Sequence, residues 1–256
     1  MKRIVIFLLL AATACLLFAC ADEGKPIDIS FEALEEVLAE ANALKEAELV
    51  TESAVKVHYE QSSLKKYDVD SSQKSKTSFR RSEDGTLFEL NGDYTVKTKE
   101  EASFSVYYKD GMAYYSQGDR RYKEATDVSA IDDRSLFLSF AKDEVENYSA
   151  RIKKGVITVT FTVPWESTSD KAVELYSQLA SAMQATGLEV KDVTYKDLSA
   201  SYSFDEATGK LMRYTYRYEA EMKVDGKKVT VKGSASCTVS KTENVKITAP
   251  DLTLYQ

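Results

Sequence analysis

From Ser30 onward, apolar and polar positions alternate with a helical period. Phe31, Leu34, Val37, Leu38, Ala41 and Leu44 share one stripe, with Glu35, Glu36 and Glu40 opposite. This predicts a helix over Ser30–Ala47 with Ser30 as its N-cap. From Val50 the period falls to two: Val55, Val57 and Tyr59 alternate with Lys56, His58 and Glu60. Strand-like runs follow near 73–81, 86–90, 93–99, 102–109 and 112–117, separated by the turn-forming pairs Asp84-Gly85, Asn91-Gly92 and Asp110-Gly111. Residues 62–78 are rich in Ser and Lys and almost free of apolar side chains, which predicts an exposed edge strand or a long loop. Helical spacing returns over Ser135–Val145, with Leu136, Phe137, Leu138 and Phe140 crowded at its start. It returns again over Asp170–Thr186, which Gly187 would end. Between these lies a predicted strand, Val156–Val163, with Ile157, Val159, Phe161 and Val163 on one face and Pro164 at its end.

The last third specifies a register. Asp225-Gly226 suits a two-residue hairpin turn with Val224 opposite Lys227. Outward from it Met222 faces Val229, Ala220 faces Val231, Tyr218 faces Gly233, Tyr216 faces Ala235 and Tyr214 faces Cys237. Met212 would face Val239. On the other side Glu219 meets Lys232 and Arg217 meets Ser234. A one-residue slip would mix these faces, so only one register keeps apolar with apolar. A turn at Ala207-Thr208-Gly209 extends the pattern to a third strand, with Phe204 opposite Met212, Tyr202 opposite Tyr214 and Ala200 opposite Tyr216. Strands of this length, roughly 48 Å at 3.4 Å per residue, must twist and coil. Three predicted helices are available to cover the apolar face. With no internal repeat and no long linker, the pattern predicts one α+β domain over 30–256, ending in a closing strand or arm at Val245–Gln256.

The N-terminus changes where this domain is expected to reside. Met1-Lys2-Arg3 precedes an uncharged run from Ile4 to Ala19, the charged and apolar regions of a secretory signal. Leu17-Phe18-Ala19-Cys20 resembles the lipobox of bacterial lipoproteins. That resemblance implies cleavage after residue 19, a diacylglycerol on the Cys20 thiol, and an extracytoplasmic protein lipid-anchored to the bacterial cell membrane. Residues 20–29 then read as a tether. Loss of Lys2 and Arg3 leaves 32 of the 34 basic side chains against 41 acidic ones, a net charge of −9. That balance argues against nucleic acid as a partner. With Cys15 removed and Cys20 acylated, Cys237 has no cysteine to pair with.

Catalytic constellations are missing. The one histidine, His58, sits on the polar side of a strand, and no HExxH, P-loop, GxSxG or GxGxxG occurs. Asp68-Val69-Asp70 opens like a calcium loop, but Gln73 and Phe79 stand where glycine and glutamate are needed. No cofactor, no metal and no enzymatic activity are expected. What remains is aromatic: 16 tyrosines and 10 phenylalanines, concentrated in the strands. Tyr on a buried face needs a partner for its hydroxyl. Such a face therefore reads either as ordinary core or as one wall of a binding cavity. In the second reading Phe204, Tyr214, Tyr216, Tyr218 and Met222 line the sheet side, and Phe137 and Phe140 belong to a lid.

The helix EALEEVLAEANAL, the run Tyr107-Tyr108-Lys109-Asp110-Gly111-Met112-Ala113-Tyr114-Tyr115, the triplet Arg121-Tyr122-Lys123, and Phe204-Asp205 through Gly209-Lys210-Leu211 resemble a family of bacterial lipoproteins related to the LolA and LppX-like lipoprotein-carrier fold. The resemblance implies a strongly curved, unclosed antiparallel half-barrel with about three helices on its concave face. It also implies an apolar or amphipathic ligand, such as lipid, held between sheet and helices. The alternative is an anchored protein-interaction module with no small-molecule ligand, whose concave face is plugged by its helices and whose function is carried by its acidic outer surface. Cavity volume separates the two, since a ligand needs several hundred cubic ångströms.

Overall fold

The two long C-terminal strands frame the molecule, a computed structural model that describes residues 24–128, 140–164 and 189–256. Strand β12 (Leu211–Val224) pairs with β13 (Lys227–Lys241) in the register the sequence specifies. Tyr214 lies opposite Cys237, Tyr216 opposite Ala235, Tyr218 opposite Gly233 and Met222 opposite Val229. On the other side of β12 runs β11 (Leu198–Asp205), with Tyr202 opposite Tyr214 and Ala200 opposite Tyr216. Here one expectation fails. A bulge follows Ser203, so Phe204 pairs with Leu211, not Met212. Leu211 is buried, while Met212 is 39% exposed. The cause is local: Asp205 Oδ1 accepts from Thr208 N at 2.9 Å, the Asp205 carbonyl accepts from Gly209 N at 2.8 Å, and Asp205 N donates to the Lys210 carbonyl at 3.0 Å, which closes a four-residue loop over 206–209 in place of the expected three-residue one.

The remaining strands extend one antiparallel sheet in both directions. Beyond β11 come β9 (Val156–Val163), β8 (Glu146–Lys153) and β1 (Lys25–Ile27). Beyond β13 come β2 (Glu46–Tyr59), β3 (Val69–Arg81), β4 (Leu87–Lys97), β5 (Glu101–Lys109), β6 (Met112–Gln117) and β7 (Arg120–Ala125). The thirteenth strand, β10 (Val190–Tyr195), pairs with the turn end of β12. The order β1-β8-β9-β11-β12-β13-β2-β3-β4-β5-β6-β7 runs from edge to edge and does not close into a barrel.

The α+β reading with about three helices on the sheet is overturned, because the fold is nearly all-β. Among the described residues the one α-helix is α1, Phe31–Asn42, capped by Ser30 Oγ accepting from Ala33 N at 3.2 Å. The expected helix over Ser135–Val145 does not form in its described part. Phe140 is irregular, Lys142–Glu144 is a single 3-10 turn, and β8 starts at Glu146. Carboxylates are unfavourable at a helix C-terminus; Glu144 instead caps the turn, accepting from Ala141 N at 2.7 Å. Asn147 follows with φ of +54°, which no helix continues through. The helix expected over Asp170–Thr186 lies outside the described residues.

Three further readings are corrected by pairing. Asn91-Gly92 is no turn: both lie inside β4, opposite Ser78 and Thr77 of β3. Glycine there leaves room for the Tyr94 ring, whose outer edge a Cβ on residue 92 would meet at 2.7 Å. The Ser/Lys-rich segment is no edge or loop from residue 69 onward, since β3 lies between β2 and β4. It is tolerated inside the sheet because Ser71, Ser75 and Thr77 place small hydroxyls on the core side, as in the Thr51 Oγ1–Ser75 Oγ contact with β2. Lys25–Ile27, read as tether, pairs with Ile152, Arg151 and Ala150 of β8.

The C-terminal residues form an arm without strand pairing. Val245 and Tyr255 are buried, Lys123 N donates to the Gln256 carbonyl at 3.0 Å, and Arg80 Nη2 donates to the Val245 carbonyl. The Tyr255 ring meets Tyr114 edge-on at 5.5 Å. In this part of the sheet Glu89 is 7% exposed, held by the Tyr107 hydroxyl at 2.9 Å and Arg80 Nη1 at 3.2 Å. Burial, and then the Glu89 carboxylate, push the Tyr107 phenol above its usual range, so it stays a donor. Tyr107→Phe removes a hydrogen bond to a charged acceptor. It should cost about 1.5 kcal/mol, the low end for such bonds, because Glu89 keeps its cations. Urea unfolding of the variant measures it.

Candidate functional site

Alternation gives the sheet two chemically different faces. The apolar face carries Tyr202, Phe204, Tyr214, Tyr216 and Tyr218 in one cluster with Phe140, Phe161 and residues of α1. The candidate ligand-lining residues are thus mostly brought together. Met222 belongs to a second cluster with Val224, Val229 and Val231, which Tyr218 and Tyr195 also touch. Phe137 and Cys20 lie outside the described residues, as does most of the expected lid; Phe140 is a buried irregular residue beside Phe161.

These residues pack on one another. Phe161 stacks on Tyr202 at 5.7 Å and Tyr148 at 6.4 Å, and meets Phe31 and Phe140 edge-on at 6.3 and 5.8 Å. Tyr202, fully buried, shares a 2.7 Å hydroxyl contact with Tyr216. Burial raises the Tyr202 phenol above the ordinary tyrosine range, so it remains neutral. The tyrosines therefore satisfy each other and need no ligand to do so. Among the described residues, the protein's own rings occupy the face around this cluster.

Cys237 lies on the same face and is fully buried. Burial pushes its thiol up to about 12. At pH 8 only about one molecule in ten thousand carries a thiolate, so alkylation of Cys237 in the folded protein should be slower than in a free peptide by several orders of magnitude. Peptide mapping after iodoacetamide treatment, with and without denaturant, checks this.

The opposite face is polar and, among the described residues, carries open grooves. A groove of about 500 Å³ runs over β2, β3, β12 and β13, lined by Glu52, Ser72, Lys74, Arg213, Arg217 and Ser236 among others. A second, of about 520 Å³, lies over β9, β11 and β12, with Thr160, Thr162, Ser199, Ser201 and Thr215 on its walls. A third, of about 380 Å³, reaches Lys56, Lys196 and Lys232. Arg217 lines all three. Its directly opposed cross-strand neighbours are Ser199 and Ser234, neither of them a carboxylate. One row of the face passes through Ser149, Thr160, Ser201, Thr215 and Ser236 on five successive strands.

His58 lies farther along this face, with Nδ1 2.7 Å from Asp68 Oδ2, while Asp68 Oδ1 accepts from Tyr59 N at 2.9 Å. The backbone donor of Tyr59 is the main cause holding the Asp68 carboxyl below its usual range. The pair ties the end of β2 to the turn before β3. Among the described residues no group of three His, Cys, Asp or Glu side chains could hold a metal ion. The polar grooves were not anticipated from the sequence. Their signal was present in the outward Ser199, Ser201 and Ser203 and in Arg213 and Arg217, but it is the ordinary pattern of a solvated strand face.

No family model and no curated protein matches the chain. Among solved structures the chain is similar to the crystal structure of the ywiB protein from Bacillus subtilis, at 7% identity with a TM-score of 0.21, over 79% of this chain and 99% of that one.

Proposed function

We propose that this chain is a lipid-anchored protein of the bacterial cell envelope, acting as a non-enzymatic binding module whose working surface is the polar face of its sheet. The observation that carries this is the contrast between the faces. Phe161, Tyr202 and Tyr216 pack the apolar side with protein rings, while grooves of about 500 Å³ open on the polar side. That packing favours a plugged core over an apolar ligand at Phe204, Tyr214, Tyr216 and Tyr218.

Anchoring rests on the lipobox-like Leu17–Cys20. Because Lys25 already belongs to β1, only residues 20–24 separate the Cys20 thioether from the sheet. Five residues span at most about 17 Å, which holds the β1–β8 edge close to the bilayer. Two acyl chains on Cys20 supply a stable anchor where the acidic chain gains nothing from anionic headgroups. Growth with a labelled fatty acid tests this part. Label and membrane association should be lost in Cys20→Ala and kept in Cys15→Ala; label retained by Cys20→Ala would remove the anchor from the proposal.

A further inference from the structure

We infer that the polar grooves meeting at Arg217 bind an anionic, polyhydroxylated chain: a linear polysaccharide or polyol polymer carrying carboxylate or phosphate groups. This rests on the reading that the polar face is the binding surface, and names the ligand class for it.

Charge is the first argument. The whole chain has a net charge of −7. The three grooves reverse that sign, since their walls carry seven Lys or Arg side chains and four Asp or Glu. Several of the seven are spent internally: Lys74 on Glu52 at 2.9 Å, Lys232 on Glu219 at 3.0 Å, and Lys196 on Glu219 and Glu221. Arg217 and Lys97 have no ion-pair partner among the described residues. Arg213 reaches only the Ser236 hydroxyl, at 3.5 Å, with the Glu52 charge nearby. A guanidinium offers a planar fork that matches carboxylate and phosphate oxygens, so exposed Arg217 and Arg213 are suited to such groups. They lie on one face of β12, four residues and therefore about 14 Å apart. Two cations repeated at this backbone spacing along one groove suit a polymer with repeated charges.

The groove walls decide what lies between the charges. Thr215 stands between the two arginines, flanked by Ser201 and Ser236. Hydroxyls both donate and accept, which suits a ligand rich in hydroxyls. The large apolar side chains that stand exposed, Val69, Phe88, Tyr122, Met212 and Leu254, line none of the three grooves. Protein interfaces depend on desolvated aromatic and aliphatic anchors, and single-stranded nucleic acid on aromatic stacking. The aromatic residues that border the grooves, Tyr218 and Phe161, belong to the cluster on the opposite face.

The test uses the purified full chain in detergent micelles and three immobilised probes: poly(glycerol phosphate), polygalacturonate and neutral dextran. At least one charged polymer should bind at low ionic strength. Binding should be lost near 1 M salt, where the Debye length is about 3 Å, and dextran should not bind. Arg213→Gln with Arg217→Gln should weaken it by about tenfold or more without moving the melting temperature. The two charged arms tell phosphate from carboxylate. Absence of binding to both overturns the inference. Dextran bound as well as the charged polymers, and lost in the groove-filling variant Thr215→Trp, overturns the anionic ligand while leaving the polar-face reading. Charged-polymer binding untouched by both variants overturns the two together.

Discussion

Replacing Phe161 by alanine should lower the unfolding free energy by about 3–5 kcal/mol, the cost of removing a buried phenylalanine and leaving a cavity. The expectation follows from the contacts of a single ring. Phe161 is 3% exposed and touches Phe31 of α1, Phe140, Tyr148 of β8 and Tyr202 of β11. It therefore joins the helix, an irregular segment and three strands. Collapse of its neighbours into the gap is opposed by the Tyr202–Tyr216 hydroxyl pair, which fixes the Tyr202 ring. For a chain of this size the loss corresponds to a fall of about 10 °C in melting temperature. Calorimetry or urea unfolding measures it. A loss below about 1 kcal/mol would mean the rings are loosely packed and the face keeps room for another molecule.

Gly233→Val should be nearly as costly, about 3 kcal/mol, and its sign should depend on Tyr218. Gly233 is no conformational exception; its backbone is ordinary strand. What it lacks is a side chain, and a Cβ built there falls inside the Tyr218 ring from the opposite strand. Valine would have to expel that ring. In a Tyr218→Ala background the same change should be neutral, or stabilising by about 0.5–1 kcal/mol, because glycine is a poor strand residue. A double-mutant cycle by urea unfolding reads the coupling directly. Additive effects of the two substitutions would show that the ring does not occupy the glycine's space.

This pair illustrates what the sequence could reveal. The β12–β13 register was legible because each tyrosine faces a small residue and each charge a complement, leaving one consistent alignment. The strand Val156–Val163 was legible for the same reason, from Ile157 to Val163 on one face. Elsewhere the local signals misled. Asn91-Gly92 looks like a turn, yet glycine is there to admit Tyr94. Residues 71–77 look unfit for a sheet interior, but small hydroxyls between long neighbouring strands suffice. Strands β8 and β10 carry positive-φ residues, Asn147 and Asp192, that interrupt their alternation. Apolar residues at helical spacing over 135–145 outweighed carboxylates that favour a turn. The rings expected to line a cavity do share a face, but periodicity does not tell a cavity wall from a packed core. That distinction needs the distances between rings.

Native mass spectrometry of the chain purified from membranes tests most directly whether its apolar face is plugged. The polar-face account expects the mass of the processed chain with its covalent Cys20 anchor and nothing more, with no further lipid recovered by solvent extraction. A stoichiometric, noncovalent acyl lipid, retained by the wild type and displaced when Ala200 facing Tyr216 is enlarged to leucine, would contradict it.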